Sequence, residues 1–226
     1  MIAFKFVPVL VNYTHKSAHI PLSGLSKHTL ILDNDGGKTS IKILVKSEED
    51  SKEEAINSMT AKIDKLKLYL KVYSNNEVTL GHANTYHAVK NEEEFKKEIL
   101  HSLDDIKNDS ELSEYFTNPL DSQQKLLLRA LDELNNGDIL NAFPKLINWL
   151  DENAGKGSSR FCCVRDVCSH GRTDGAVHKV KQDFPDEFDF DEDVFSIDSN
   201  QNKQNLHKYL PEVFSHIQKT FLEKYI

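Results

Sequence analysis

The chain has 226 residues with 28 basic and 36 acidic side chains, a net charge of −8, and 38% apolar residues. This length suits one large domain or two small ones, and this apolar share is enough to build a core. The acidic balance argues against a protein that holds nucleic acid by bulk electrostatics, because such domains carry a basic face. We therefore expect no DNA partner, and any contact with RNA must be local.

The N-terminal part has the pattern of an α+β domain. Residues 2–13 are apolar and extended, and short strands are predicted at 30–32 and 40–45 with hairpin-turn residues between them. Apolar residues at helical spacing predict a long helix over 47–74, with lysines and acids on its other face. Residues 77–89 return to extended structure.

From Asn91 onward the apolar residues recur at helical spacing, and capping and helix-terminating residues divide this part of the chain into separate helices. Apolar spacing predicts helices that start at Asn91, at Asp121 or Ser122, at Asp138, at Arg160 with Ser159 as cap, and at Gln201. Gly171 ends the fourth of these helices. A long loop follows it and ends in the acidic run 184–193, whose interleaved phenylalanines predict that part of the run packs down, and we hypothesise that it covers a basic site.

The predicted strands lie in the first part of the chain and are followed by helices alone. This order predicts two domains with a boundary near Lys90 or Asn91. The expected fold class is α+β: a small mixed α/β domain of unknown role at 1–90, then an all-α bundle at 91–226. No window reaches the roughly 20 consecutive apolar residues that a membrane span requires. We expect no membrane partner.

The three cysteines, Cys162, Cys163 and Cys168, lie in one short segment. An odd number in one place does not fit a secreted disulfide framework, so we expect a reduced, cytoplasmic setting. A regulator that binds a metal ion through these thiols and His170 is therefore a further alternative. The adjacent pair Cys162 and Cys163 fits zinc spacing poorly, and small core residues without a metal are the favoured interpretation.

Three of the four arginines fall within thirteen residues, at Arg160, Arg165 and Arg172, although the chain otherwise uses lysine. Arginine clamps a phosphate with a planar, permanently charged fork, and histidine transfers protons near neutral pH. Arg165 and His170 are thus the candidates for phosphodiester chemistry. On one helix, five residues separate their directions by about 140°, so convergence needs the helix end, a wide groove or a second subunit.

The segment Arg165-Asp166-Val167-Cys168-Ser169-His170 resembles the motif of the HEPN superfamily, an Arg, a polar residue, a few further residues and His. The resemblance covers roughly 91–226. It includes the amphipathic helix pair upstream, which ends in Asn148-Trp149-Leu150-Asp151-Glu152, the His170-Gly171 ending and the long final helix.

This resemblance implies a metal-independent endoribonuclease without cofactors, with a role in defence or as a toxin, working as a homodimer. Arg165 then holds the scissile phosphate, His170 acts on the 2′-hydroxyl or the leaving oxygen, and Asp166 orients one of them. Neighbouring Arg160, Ser169 and Arg172 are predicted to bind substrate. The alternative is a non-catalytic HEPN module for dimerisation or nucleotide binding in an interaction or regulatory protein.

Overall fold

The structure is a computed structural model that describes residues 2–11, 29–35, 38–47, 52–76, 78–80, 86–89, 115, 118–155, 160–171 and 174–226. The chain divides into two compact units, Met1–Leu120 with Tyr225–Ile226, and Asp121–Lys224. The boundary predicted near Lys90 or Asn91 and the helix predicted from Asn91 lie outside the described residues and stay predictions. The described part of the chain is mostly helical.

An antiparallel sheet in the first unit is built around β1 (Ile2–Val11). Strand β3 (Lys38–Ser47) runs along one edge of β1, from Ala3 opposite Ser47 to Leu10 opposite Ser40. Strand β2 (Thr29–Asp35) pairs with the outer edge of β3. The predicted strands and the hairpin that joins the second to the third are confirmed.

The other edge of β1 carries two short strands, β4 (Val78–Leu80) and β5 (Tyr86–Val89), which pair with opposite ends of it. Helix α1 (Lys52–Tyr73) contacts β1, β3 and β4 and so covers this sheet. The long predicted helix is confirmed, and it begins at Lys52.

Two lysines of α1 depart from the expected solvent-facing arrangement. Lys65 and Lys71 are buried. The Lys65 ammonium lies 4.2 Å from the centre of the Tyr115 ring, and the Lys71 ammonium donates to the Asn76 side-chain oxygen over 3.0 Å. A ring face and an amide oxygen can each stabilise a lysine ammonium group away from water. The prediction from amphipathic spacing that all lysines of this helix face solvent is therefore wrong for these two.

The second unit begins with a pair of helices, and both start where the sequence predicts. Helix α2 (Ser122–Asn135) has Asp121 as its cap, in a reciprocal capping box with Gln124. Gly137, at a φ of +82°, separates it from α3 (Ile139–Ala154), which Asp138 caps. Apolar residues of both helices form the core of the unit, among them Leu127, Leu131, Phe143, Leu146, Ile147, Trp149 and Leu150.

The next two helices differ from the prediction. Helix α4 spans Cys162–His170; it begins two residues later than expected, and Phe161 is its cap position without a side-chain hydrogen bond. Gly171 ends it as predicted, at a φ of +68°. The predicted long loop after Gly171 is wrong, because α5 (Asp174–Asp183) fills it. Only Val177 and Val180 are buried there, too few apolar residues for a periodic signal.

The acidic run that follows folds into a short hairpin, β6 (Phe190–Asp191) with β7 (Val194–Phe195). The Phe195 amide donates to the Gly171 carbonyl over 3.0 Å, so the hairpin rests on the end of α4. The prediction that part of this run packs down is confirmed, since Phe184 and Phe188 are buried. Its ion pairs join Glu187 to a lysine of the last helix and Asp193 to Lys181.

The last helix, α6 (Asn200–Tyr225), confirms the predicted terminal helix and buries a long apolar stripe. No described helix of the chain combines the length and apolar character needed to cross a membrane.

Aromatic rings connect the elements of the second unit around Phe161. Its ring centre lies 5.8 Å from that of Phe143 on α3, 5.8 Å from that of Phe184 after α5, and 4.9 Å from that of Tyr209 on α6. Phe161 is 1% exposed. Edge-to-face, stacked and tilted ring pairs at these distances add to the free energy gained by apolar burial. The start of α4 is thereby fixed against three other elements.

One buried amide, Asn202, holds the hairpin to α6. Its side-chain nitrogen donates to the Asp189 and Ser196 carbonyls over 3.0 and 2.9 Å, and its side-chain oxygen accepts from the Asp189 amide over 2.7 Å. Asn202 is 0% exposed. These bonds join the hairpin to α6, and the same two carbonyls also accept from the amides of Ser196 and Ser199, each over 3.1 Å.

We predict that Asn202→Leu lowers the free energy of unfolding by about 2–4 kcal/mol, because it removes three hydrogen bonds made by a fully buried amide. Urea unfolding followed by circular dichroism measures this change. Gln204→Leu, at an exposed position of the same helix, is the control and leaves the midpoint nearly unchanged. Equal midpoints for the two variants would contradict the assigned role of Asn202.

Candidate active site

The predicted Arg165 and His170 both lie on α4, near its middle and at its last residue. The Arg165 side chain is 20% exposed and turns toward α3, whereas His170 is exposed. Within the described residues no hydrogen bond joins the two side chains. Because both residues lie on one α-helix, its geometry separates their directions by about 140°.

Two carboxylates hold the Arg165 guanidinium. Asp166, its neighbour on α4, accepts from Nε over 2.8 Å, and the same carboxylate oxygen lies 2.7 Å from Nη2. Asp151 on α3 accepts from Nη1. Burial lowers the pKa of Arg165, but the hydrogen bond and charge of Asp166 and the charge of Asp151 outweigh it and raise the pKa above its usual value. The guanidinium thus stays charged in a fixed orientation.

Asp166 was expected to orient either Arg165 or His170, and its hydrogen bonds go to Arg165. Its side chain is 39% exposed, against 11% for that of Asp151. The more exposed carboxylate is the more easily displaced, because water can solvate it when it leaves. An incoming anion can therefore take the place of Asp166 while Asp151 keeps its bond.

His170 is the last residue of α4. Ser169 beside it is also exposed. Val194 of the hairpin lies close by, since a Cβ at Gly171 would be 3.7 Å from its side chain. An exposed imidazole on a fixed helix end is accessible to a large substrate.

Arg160 lies before α4 and contacts α6. It donates to both carboxylate oxygens of Glu212 over 3.0 and 2.7 Å, and its guanidinium carbon lies 4.9 to 5.5 Å from the ring centres of Phe161, Phe184 and Tyr209. The hydrogen bond to Glu212 raises its pKa. A contact of Arg160 with substrate stays a prediction. Arg172 lies outside the described residues.

The cysteines have surroundings typical of packing residues. Burial raises the pKa of Cys163, and it raises the pKa of Cys168 to about 12, so both thiols stay protonated near neutral pH. The Cys162 sulfur lies 3.4 Å from each carboxylate oxygen of Asp151. The part of the chain that the structure describes has no group of three or more His, Cys, Asp or Glu side chains arranged to hold a metal ion.

Asp151 is the site residue that the sequence did not single out. It precedes Arg165 by fourteen residues and lies on another helix, so no local spacing connects them. The only signal was its place in the segment 148–152, at the end of the helix before the Arg165–His170 segment. Packing of α3 against α4 brings the two charges together.

Comparisons of this chain with models of protein families, with curated proteins and with solved structures found no match.

We predict that Asp151→Ala lowers the free energy of unfolding by about 1.5–3 kcal/mol, because Arg165 loses a charged hydrogen bond at a mostly buried position. Denaturant unfolding measures the loss. The matched control is Glu223→Ala, which breaks the exposed pair with Lys219 at 4.0 Å and produces little change. A loss no larger than the control's would contradict the structural importance of the Asp151–Arg165 pair.

Proposed function

We propose that the chain is a HEPN-type endoribonuclease that needs no metal ion and acts as a homodimer. The observation that supports this most is the arrangement of α4: a charged, oriented Arg165 and an exposed His170 occupy one helix after the pair α2 and α3. Phosphodiester cleavage needs one group that binds the phosphate and one that moves a proton, and this helix carries both.

The proposed reaction is an internal transesterification of RNA. The 2′-oxygen forms a bond to phosphorus as its proton leaves, the bond from phosphorus to the 5′-oxygen breaks, and the leaving oxygen takes up a proton. His170 supplies one of these proton transfers, and Arg165 binds the phosphate oxygens on which charge develops. The products are a 2′,3′-cyclic phosphate and a 5′-hydroxyl, and neither water nor a metal ion is consumed.

One of the two carboxylates must leave the Arg165 guanidinium before it can bind a phosphate. We propose that the substrate phosphate displaces Asp166, the more exposed carboxylate, while Asp151 keeps the guanidinium oriented. Asp151 is then a positioning residue. The bidentate fork of arginine suits such an exchange, because carboxylate and phosphate present similar pairs of oxygens.

A second subunit completes the site in this proposal. Arg165 and His170 point in directions about 140° apart on one helix. Of the helix end, a wide groove and a second subunit, we propose that a second subunit brings the two groups to the same phosphodiester. Two α4 helices related by a twofold axis can place Arg165 of one copy near His170 of the other. Contact with RNA then stays local, as the net charge of −8 requires.

Ser169, Arg160 and Arg172 are proposed to bind substrate next to this site. We further propose a cytoplasmic setting, a role in defence or as a toxin, and recognition of a partner or substrate by the N-terminal unit. The grouping of an odd number of cysteines in one short segment supports the cytoplasmic setting.

The alternative is a non-catalytic module of the same type that serves dimerisation or nucleotide binding. One observation favours it: the two carboxylates beside Arg165 give the cluster a formal charge of −1, which repels RNA. An enzyme must overcome this repulsion in every cycle, whereas an interaction module can keep the arrangement as a structural ion pair.

Cleavage of RNA in EDTA distinguishes the two proposals. We expect the full chain to cut RNA without a metal ion and His170→Ala to lower the rate by at least about a hundredfold, because it removes a proton-transfer group. His207→Ala, at another exposed histidine, is the control and keeps the rate. Gel analysis of labelled RNA and detection of the cyclic phosphate measure the reaction.

Equal cleavage by the protein and by His170→Ala would rule out this site as the source of activity. Absence of cleavage by the folded protein would rule out the ribonuclease and leave the interaction module.

A further inference from the structure

A polar pocket of about 470 Å³ in the second unit is lined by α3 and α6. The end of α3 contributes Asn153 and Ala154, and α6 contributes His216, Lys219, Thr220 and Lys224 among others. Neither Arg165 nor His170 lines it. Its volume falls in the range of pockets that bind small molecules.

Thr220 is the first feature that suggests a ligand. It is 8% exposed, it lines the pocket, and within the described residues its hydroxyl makes no hydrogen bond. The hydroxyl oxygen is not among the buried side-chain atoms that lack a partner, so it is open to the pocket. A ligand atom that accepts a hydrogen bond there can therefore reach it.

Charge is the second feature. Residues 216, 219, 220 and 223 recur at helical spacing and share one face of α6. Among the residues that line the pocket, Lys219 and Lys224 are basic and Glu223 is acidic. The Lys219–Glu223 contact is 4.0 Å long between largely exposed side chains, so it neutralises little. The Lys224 ammonium donates to the Asn153 side-chain oxygen over 2.5 Å, which holds it at the pocket.

We propose that this pocket binds the phosphate group of a small phosphorylated ligand. Lys219 and Lys224 supply the charge, and the Thr220 hydroxyl donates to a phosphate oxygen. The remaining volume takes the organic part of the ligand. The same chemistry fits a nucleoside monophosphate and a 5′-phosphorylated RNA end. This inference does not rest on the proposed ribonuclease activity.

Nuclear magnetic resonance titration of the labelled full chain at constant ionic strength tests the proposal. The probes are inorganic phosphate, adenosine monophosphate, and a trinucleotide RNA with or without a 5′-phosphate. We expect saturable shifts at the amides of Ala154, Lys219 and Thr220. Thr220→Val preserves shape and should weaken phosphate binding about tenfold, since it removes a hydrogen bond to a charged group.

Lys219→Gln should weaken binding about threefold, as expected for one exposed charge. Lys203→Gln makes the same charge change on α6 outside the pocket and should leave the dissociation constant unchanged. Binding of adenosine monophosphate identifies a small ligand, and binding of only the phosphorylated trinucleotide identifies an RNA end. Shifts confined to residues around Arg165 and His170, no saturable shift at all, or unchanged binding by Thr220→Val and Lys219→Gln would overturn the proposal.

Discussion

The packing of Phe161 is the constraint on which the second unit depends. This one ring contacts aromatic rings of α3, of α6 and of the segment after α5, and it stands immediately before α4. Arg160 lies over the same cluster and bonds to α6. At the other end of α4, the carbonyl of Gly171 accepts a hydrogen bond from the hairpin. The short helix is therefore fixed at both ends.

A helix fixed in this way determines what each of its side chains can do. Arg165 turns toward α3, where Asp151 and Asp166 hold it in one orientation and keep it charged. His170, five residues later, is left at the surface. Five residues of one helix separate the directions of the arginine and the histidine by about 140°. The proposed function needs a second subunit for this reason.

Local signals explain how much of the fold could be predicted. The capping residues Asp121 and Asp138, with the apolar periodicity behind them, defined α2 and α3, and a long stripe defined α6. Helix α5 was missed because only two valines of it reach the core, and its stability comes from packing against α4. Periodicity reports a buried face, so a helix with a narrow buried face is read as a loop.

In the candidate site too, local sequence predicts some features, and others depend on how the helices pack. Asp166 could be associated with Arg165 because it is the next residue, and the angular separation of Arg165 and His170 follows from helix geometry alone. Asp151 could not be found, because its contact depends on how α3 packs against α4. The pocket between α3 and α6 has the same origin: spacing places Lys219 and Thr220 on one face, but only the packing reveals that Asn153 closes it.

Complementation between inactive variants tests the shared site most directly. Mixing Arg165→Ala and His170→Ala subunits in equal amounts, after exchange of subunits, makes half of the dimers mixed, and each mixed dimer keeps one intact site of two. The account predicts recovery of about a quarter of the wild-type RNA cleavage rate, although each variant alone is inactive. A mixture that contains mixed dimers but cleaves no faster than the separate variants would contradict it.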